Sequence, residues 1–223
     1  MPQHKYSLLF LGKDDDPDCA RALEFCQKNF APVTHCLGHW GDPLPALVLT
    51  WQGDYIISYL SRWVVPAQVL GCAARAAVNF HPASPNYPGI GCNNFALYEN
   101  AQEYGVTCHH MAAQVDTGPI IAVRRFPIRP EDDVASLLRR TYDNQIALFL
   151  QVAAIMAEGG ELPTADETWT RRPFTRKEFN ELFRITPDMS TDEIARRVRA
   201  LSYGAFQPYI EIDGFRFEYV PPK

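Results

Sequence analysis

The chain has 223 residues, of which 47% are hydrophobic and 21% charged, and carries a net charge of −5. That is an ordinary globular composition, long enough for one well-cored domain with a small appendage. No basic tract is present, so a nucleic-acid backbone is a poor partner. No stretch approaches the length of a bilayer span, and the apolar run at residues 6–12 is too brief for a signal peptide.

Six cysteines (Cys19, Cys26, Cys36, Cys72, Cys92 and Cys108) are scattered without a Cys-x-x-Cys pair. The pattern argues against a zinc site and against a secreted disulfide framework, and for buried thiols in a reducing, cytoplasmic setting.

Residues 6–12 read as a buried first strand. Asp16-Pro17 then supplies an N-cap with proline at the first helical position, and Cys19, Leu23, Cys26 and Phe30 recur on one face of the helix that follows. The triplet Asp14-Asp15-Asp16 reads as a solvated loop ending in that cap. Residues 33–37 suggest a second strand, and residues 43–51 a short helix through Leu44, Leu47 and Val48. Residues 54–60 and 76–81 are strong buried strands, with a short helix from near Pro66 between them. Strand alternating with helix points to an α/β protein with a Rossmann-like, mostly parallel sheet flanked by helices. In such sheets, sites collect at the carboxyl ends of the strands.

Residues 120–128 are extended. A long helix from about residue 131 to 158 keeps Val134, Leu137, Leu138, Ile146, Phe149, Leu150 and Ala153 at helical spacing until Gly159-Gly160 stops it. Beyond it, Thr175 with Glu178 and Ser190 with Glu193 form two capping-box patterns, each opening a short helix. Residues 209–212 and 215–219 alternate around Asp213-Gly214, a hairpin signal. The expected organisation is a main domain over 1–160 and a small C-terminal helix-plus-β-hairpin extension over 161–223.

Asn79 and His81 stand at the end of the second strong strand, and Asp116 follows about thirty-five positions on in a turn, giving three groups of complementary chemistry. The Asn79 amide suits a developing oxyanion, the His81 imidazole moves a proton, and the Asp116 carboxylate, in an Asp-Thr-Gly-Pro turn, orients the imidazole. His109-His110 lies in a putative strand, where neighbours face opposite sides. The two cannot readily chelate one ion, so a structural role is expected and no metal is assigned. Residues 170–177 are basic and lie beside Trp169 and Phe174, which suits either a diphosphate-bearing ligand or a solvated linker.

Taken together, Val78-Asn79-Phe80-His81-Pro82, Asn86-Tyr87-Pro88-Gly89, Phe95-Ala96-Leu97, residues 103–111 and Asp116-Thr117-Gly118-Pro119-Ile120-Ile121 resemble the catalytic core of the formyltransferases that use N10-formyltetrahydrofolate. Leu60-Ser61-Arg62-Trp63-Val64-Val65-Pro66 is similar to the segment whose backbone meets the pterin in that family. The resemblance covers roughly residues 54–127. It implies the formyltransferase fold, with Asn79, His81 and Asp116 catalytic. It also implies that Ser61, Arg62, Trp63, Val64, Met111, Val115 and Asp116 surround the folate, and that Tyr87, Pro88 and Gly89 border the acceptor; Arg171 and Arg172, outside the resemblance, are expected to meet an acceptor diphosphate on the strength of their charge.

The loop from His81 to Tyr87 looks one residue shorter than in purine-pathway relatives, which bears on the acceptor pocket. Three carboxylates at residues 14–16 would repel the phosphate of a glycinamide ribonucleotide. Charge and length argue against the tRNA branch. The small amino-sugar branch is left, with N10-formyltetrahydrofolate as co-substrate and the primary amine of a nucleotide-linked amino-dideoxy sugar as acceptor. Formylation of an amino acid, a hydroxylamine or glycinamide ribonucleotide, or hydrolysis of formyltetrahydrofolate, are the alternatives. The oligomeric state stays open, a homodimer included.

Overall fold

The computed structural model describes residues 5–220. Its main sheet has six strands: β1 (Leu8–Lys13), β2 (Val33–Gly38), β3 (Gly53–Tyr59), β4 (Ala73–His81), β5 (Glu103–His110) and β6 (Ile120–Pro127). Their spatial order is β2-β1-β3-β4-β5-β6. The first four run parallel, as the alternation of strand and helix predicts, whereas β5 is antiparallel to β4 and β6 to β5.

β1 shows why the sheet is central. Leu8, Leu9, Phe10 and Leu11 are all fully buried, because helices cover both faces of a parallel strand and leave no solvated side. Leu8 and Phe10 join a core beneath α1 (Pro17–Asn29) and α5 (Val134–Ala157). Leu9 and Leu11 join a second core beside α2 (Ala46–Thr50) and α3 (Ala67–Leu70).

α1 starts as expected. The Asp16 carboxylate accepts from the Asp18 and Cys19 amides, and Pro17 stands in the first turn. Cys19, Leu23, Cys26 and Phe30 are buried. α5 buries Val134, Leu137, Ile146, Phe149 and Ala153 of its expected face, but Leu150 is exposed while Leu148 is buried. The buried stripe runs through Leu137, Thr141, Gln145, Leu148, Phe149 and Val152. Two polar residues occupy its middle: Thr141 donates to the Leu137 carbonyl, and Gln145 donates to the Phe80 carbonyl at 2.7 Å. An apolar-only pattern therefore misses the middle of the stripe.

The C-terminal elements are α6 (Arg176–Leu182), β7 (Arg184–Ile185), α7 (Thr191–Leu201), β8 (Tyr209–Ile212) and β9 (Phe215–Glu218). The hairpin turns at Asp213-Gly214, and the two-residue β7 adds a third strand that no periodicity announces. Thr175 and Glu178 close a reciprocal capping box. At Ser190 the box is only half made, because the Glu193 carboxylate is taken by Tyr98, Arg196 and Arg197. Leu182, Phe183, Ala200 and Leu201 pack in one cluster with Phe95, Leu97, Val134 and Leu137. The extension thus shares a core with α4 (Cys92–Tyr98) and α5.

Between α5 and α6, residues 161–175 form a strap across the carboxyl end of the sheet. The amide of Ala165 donates to Ile120, that of Thr170 to Pro85 and that of Phe174 to Pro88, while Ile90 donates back to Phe174. Among the described residues no helix is long and apolar enough to cross a membrane.

Candidate active site

β4 ends at His81, and alternate strand residues share a face, so Asn79 and His81 project to one side while Phe80 enters the core. The antiparallel register of β5 sets His109 directly opposite Asn79. Their side chains meet, with Asn79 Nδ2 3.1 Å from His109 Nε2.

The β5–β6 connection then brings Asp116 between the two imidazoles. Its Oδ2 lies 3.3 Å from His81 Nδ1 and its Oδ1 3.3 Å from His109 Nε2. The Gly89 amide donates to Oδ2 at 2.8 Å. Asp116 adopts a left-handed backbone, φ 49, a conformation that Asp tolerates better than most residues. Two positions later a Cβ on Gly118 would overlap the His110 carbonyl oxygen, so only glycine lets the loop pass this close.

Proton positions follow from the partners. His81 Nε2 lies 2.9 Å from the Tyr87 carbonyl and therefore carries a hydrogen, leaving Nδ1 facing the Asp116 carboxylate. His109 Nδ1 lies 2.8 Å from the His110 carbonyl and likewise donates. Its Nε2 stands between the Asn79 amide and Asp116. His81, His109 and Asp116 are almost wholly buried, at 4%, 2% and 4% exposure. Burial pushes the Asp116 carboxyl up, but the electrostatic and hydrogen-bonding influence of the His81 and His109 rings and the Gly89 amide outweighs it, and its pKa lies below the ordinary carboxylate value.

Trp169 closes the rear of this cluster. Its ring meets His109 edge-on at 5.1 Å and His81 at 5.8 Å, and its Nε1 donates to the Gly118 carbonyl at 2.8 Å. The strap therefore touches both loops that serve the site, the one carrying Tyr87 and Gly89 and the one carrying Asp116.

A cleft of about 690 Å³ opens onto these groups. Asn79, His81 and Asp116 line it, as do Ser61, Arg62, Trp63 and Val64 from the loop after β3 and Met111 and Val115 from the loop after β5. Gly89 also lines it, but Tyr87 and Pro88 do not. Tyr87 is buried against Tyr104 and Phe174 and presents its carbonyl to His81. Pro88 gives its carbonyl to the strap.

Arg171 and Arg172 are not brought to the cleft. Arg171 makes a two-pronged contact with Glu99 at 2.7 and 3.1 Å, and Arg172 one with Glu178 at 2.6 and 3.0 Å. Sequence reasoning missed the part His109 plays here. Its strand neighbour His110 drew attention to a shared metal, while the informative relation was its register opposite Asn79.

Residues 44–153 match the formyl transferase family. The chain carries a formyl transferase domain. Among curated formyl transferases, the methionyl-tRNA formyltransferase of Dictyoglomus thermophilum is 28% identical over 140 residues, 62% of this chain and 45% of that enzyme. The chain thus spans about half the length of the curated relatives it matches.

Solved structures of formyl transferases align over nearly the whole chain. A sugar N-formyltransferase from Shewanella superposes with a TM-score of 0.78 at 17% identity, covering 97% of each chain. The N-formyltransferase of Helicobacter canadensis, solved with folinic acid and dTDP-3-aminofucose, gives 0.72 at 20% identity, covering 93% of this chain and 84% of that one. Likeness at this identity speaks to the fold, which is the formyl transferase fold.

Proposed function

We propose that this chain transfers a formyl group from N10-formyltetrahydrofolate to the primary amine of a nucleotide-linked amino-dideoxy sugar. The observation that carries this reading is the buried Asn79–His109–Asp116–His81 cluster at the floor of one cleft, within the segment that matches formyl transferases. In this reading the amine nitrogen attacks the formyl carbon, and the carbonyl oxygen becomes an oxyanion stabilised by the Asn79 amide. The carbon–N10 bond then breaks. The proton lost by the amine passes to the His81–Asp116 pair and on to N10, so the donor leaves as tetrahydrofolate.

The loops at 61–64 and 111–116 form the walls for the folate, and Gly89 with Ile90 borders the acceptor. The acceptor class is supported by the sugar N-formyltransferases of the same fold, one of them solved with dTDP-3-aminofucose. The setting is the cytosol, with residues 1–160 carrying the reacting groups and 161–223 completing their surroundings.

The test is a coupled assay. The chain is supplied with N10-formyltetrahydrofolate and a panel of nucleotide-linked amino sugars, and tetrahydrofolate release and N-formyl product are measured together. Stoichiometric product with one amine supports the reading. Tetrahydrofolate release that ignores the amine overturns it in favour of hydrolysis, and product only with a free amino acid overturns the acceptor class.

A further inference from the structure

Two guanidinium groups pack against one indole that lines the cleft. Trp40, on the loop after β2, is 62% exposed. The Arg62 guanidinium carbon lies 5.3 Å from a Trp40 ring centroid and that of Arg176 lies 5.1 Å away. All three line the cleft, Arg62 from the loop after β3 and Arg176 from the first residue of α6. The cations therefore reach Trp40 from the sheet side and from the C-terminal extension.

Neither arginine makes an ion pair or a hydrogen bond among the described residues, whereas Arg125, Arg140, Arg171, Arg172, Arg196 and Arg197 are each held by a carboxylate. Among the described residues no other Arg or Lys lines the cleft, and the one carboxylate that does, Asp116, is already engaged by Gly89 and two imidazoles. The cation–π contacts to Trp40 and, for Arg176, to Phe179 are favourable, but no carboxylate balances the two charges. A cation in the first turn of a helix opposes the helix dipole, and two like charges over one ring repel. An exposed indole flanked by two unneutralised forks instead suits a ligand end that is anionic beside a flat or apolar group.

We propose that Trp40, Arg62 and Arg176 form an anion clamp in the cleft. It takes a phosphate or carboxylate group at the outer end of a bound ligand and, in doing so, ties α6 to the loop after β3. The clamp itself stands on geometry, while the identity of the anion rests on the formyl-transfer reading. That reading offers two sources of this chemistry, the diphosphate of the acceptor and the glutamyl carboxylates of the folate.

The experiment is calorimetric titration of the whole chain and of Arg62→Gln/Arg176→Gln and Trp40→Ala. The probes are inorganic pyrophosphate, dTDP, folinate and a folinate analogue lacking the glutamate. Thermal melts verify that the variants fold, and Arg176→Lys serves as a variant that keeps the charge.

The expected result is that the double variant binds either dTDP and pyrophosphate, or folinate, at least about tenfold more weakly. Binding of the glutamate-free analogue should stay unchanged, and Arg176→Lys should retain part of the affinity. Loss confined to dTDP and pyrophosphate assigns the acceptor diphosphate, and loss confined to folinate assigns the glutamyl tail. Affinities within twofold of wild type for every anion overturn the clamp while leaving formyl transfer intact, whereas failure of every anion, folinate included, to bind the wild type overturns both. Pyrophosphate binding that needs the arginines, in a chain that ignores folinate altogether, supports the clamp and refutes the formyl-transfer reading.

Discussion

Replacing Asp116 by Asn separates the chemistry of this site from its architecture. The carboxylate accepts from the Gly89 amide at 2.8 Å and faces an imidazole nitrogen with each oxygen at 3.3 Å. An amide keeps one acceptor for Gly89 but presents hydrogens to one of the rings. If a proton arriving on His81 makes an imidazolium, the charge it loses by the substitution is a full one at 3.3 Å. At an effective dielectric of about 20 that interaction is worth roughly 5 kcal/mol, or more than three decades in rate.

Folding is affected much less. Losing charge-assisted contacts costs about 1–2 kcal/mol each, and that loss is offset by no longer burying an ionised group. Because the folded pKa of Asp116 is depressed, the ionised form contributes its stability in full above the ordinary carboxylate value. The contribution is lost only as pH falls through the lower folded value. The stability gap between wild type and Asp116→Asn is therefore expected to be flat near neutrality and to shrink only in acid. Steady-state turnover with formyl donor and amine, alongside urea unfolding at neutral and acid pH, checks both halves. Turnover of Asp116→Asn within tenfold of wild type would refute the reasoning.

Gly89→Ala forces a side chain onto a backbone at φ +91 and places its Cβ 2.6 Å from the Phe174 amide nitrogen. It should cost about 2 kcal/mol or more in chemical denaturation, and it should lower turnover further by displacing the Gly89 amide from Asp116. Arg171→Ala removes a half-exposed pair with Glu99 and two cation–π contacts, to Tyr87 and Phe174. A loss of about 1–2 kcal/mol in stability is expected, with the Michaelis constant for the acceptor unchanged in Arg171→Ala/Arg172→Ala. A raised constant in that double variant would return the pair to the acceptor site.

Much of the fold could be read in order because local chemistry and tertiary environment agree. Asp16-Pro17 starts a helix in any context, the run Leu8-Leu9-Phe10-Leu11 fits only a strand covered on both faces, and Asp213-Gly214 turns a hairpin. The failures fall where distant partners decide. Gln145 is buried because the Phe80 carbonyl needs a donor, and nothing near residue 145 says so. Glu193 looks like half of a capping box until Tyr98 and two arginines claim it.

In the site, Asn79, His81 and Asp116 were legible from their spacing and their resemblance to a family. His109 emerges only from the register of an antiparallel pair, and the burial of Tyr87 only from two aromatic rings, Tyr104 and Phe174, contributed by separate segments.

The strap changes when, during synthesis, such a site comes into being. Every group that would touch the formyl carbon has been translated by Asp116, and the sheet that holds those groups is complete by β6. The backbone contacts that seat the loop of Tyr87 and Gly89, and the indole that backs both imidazoles, arrive only with residues 161–175. A nascent chain halted before them has the residues that line the cleft without the backbone contacts and the indole that hold them. Order of translation thus leaves the strap as the last piece of this centre to be set in place.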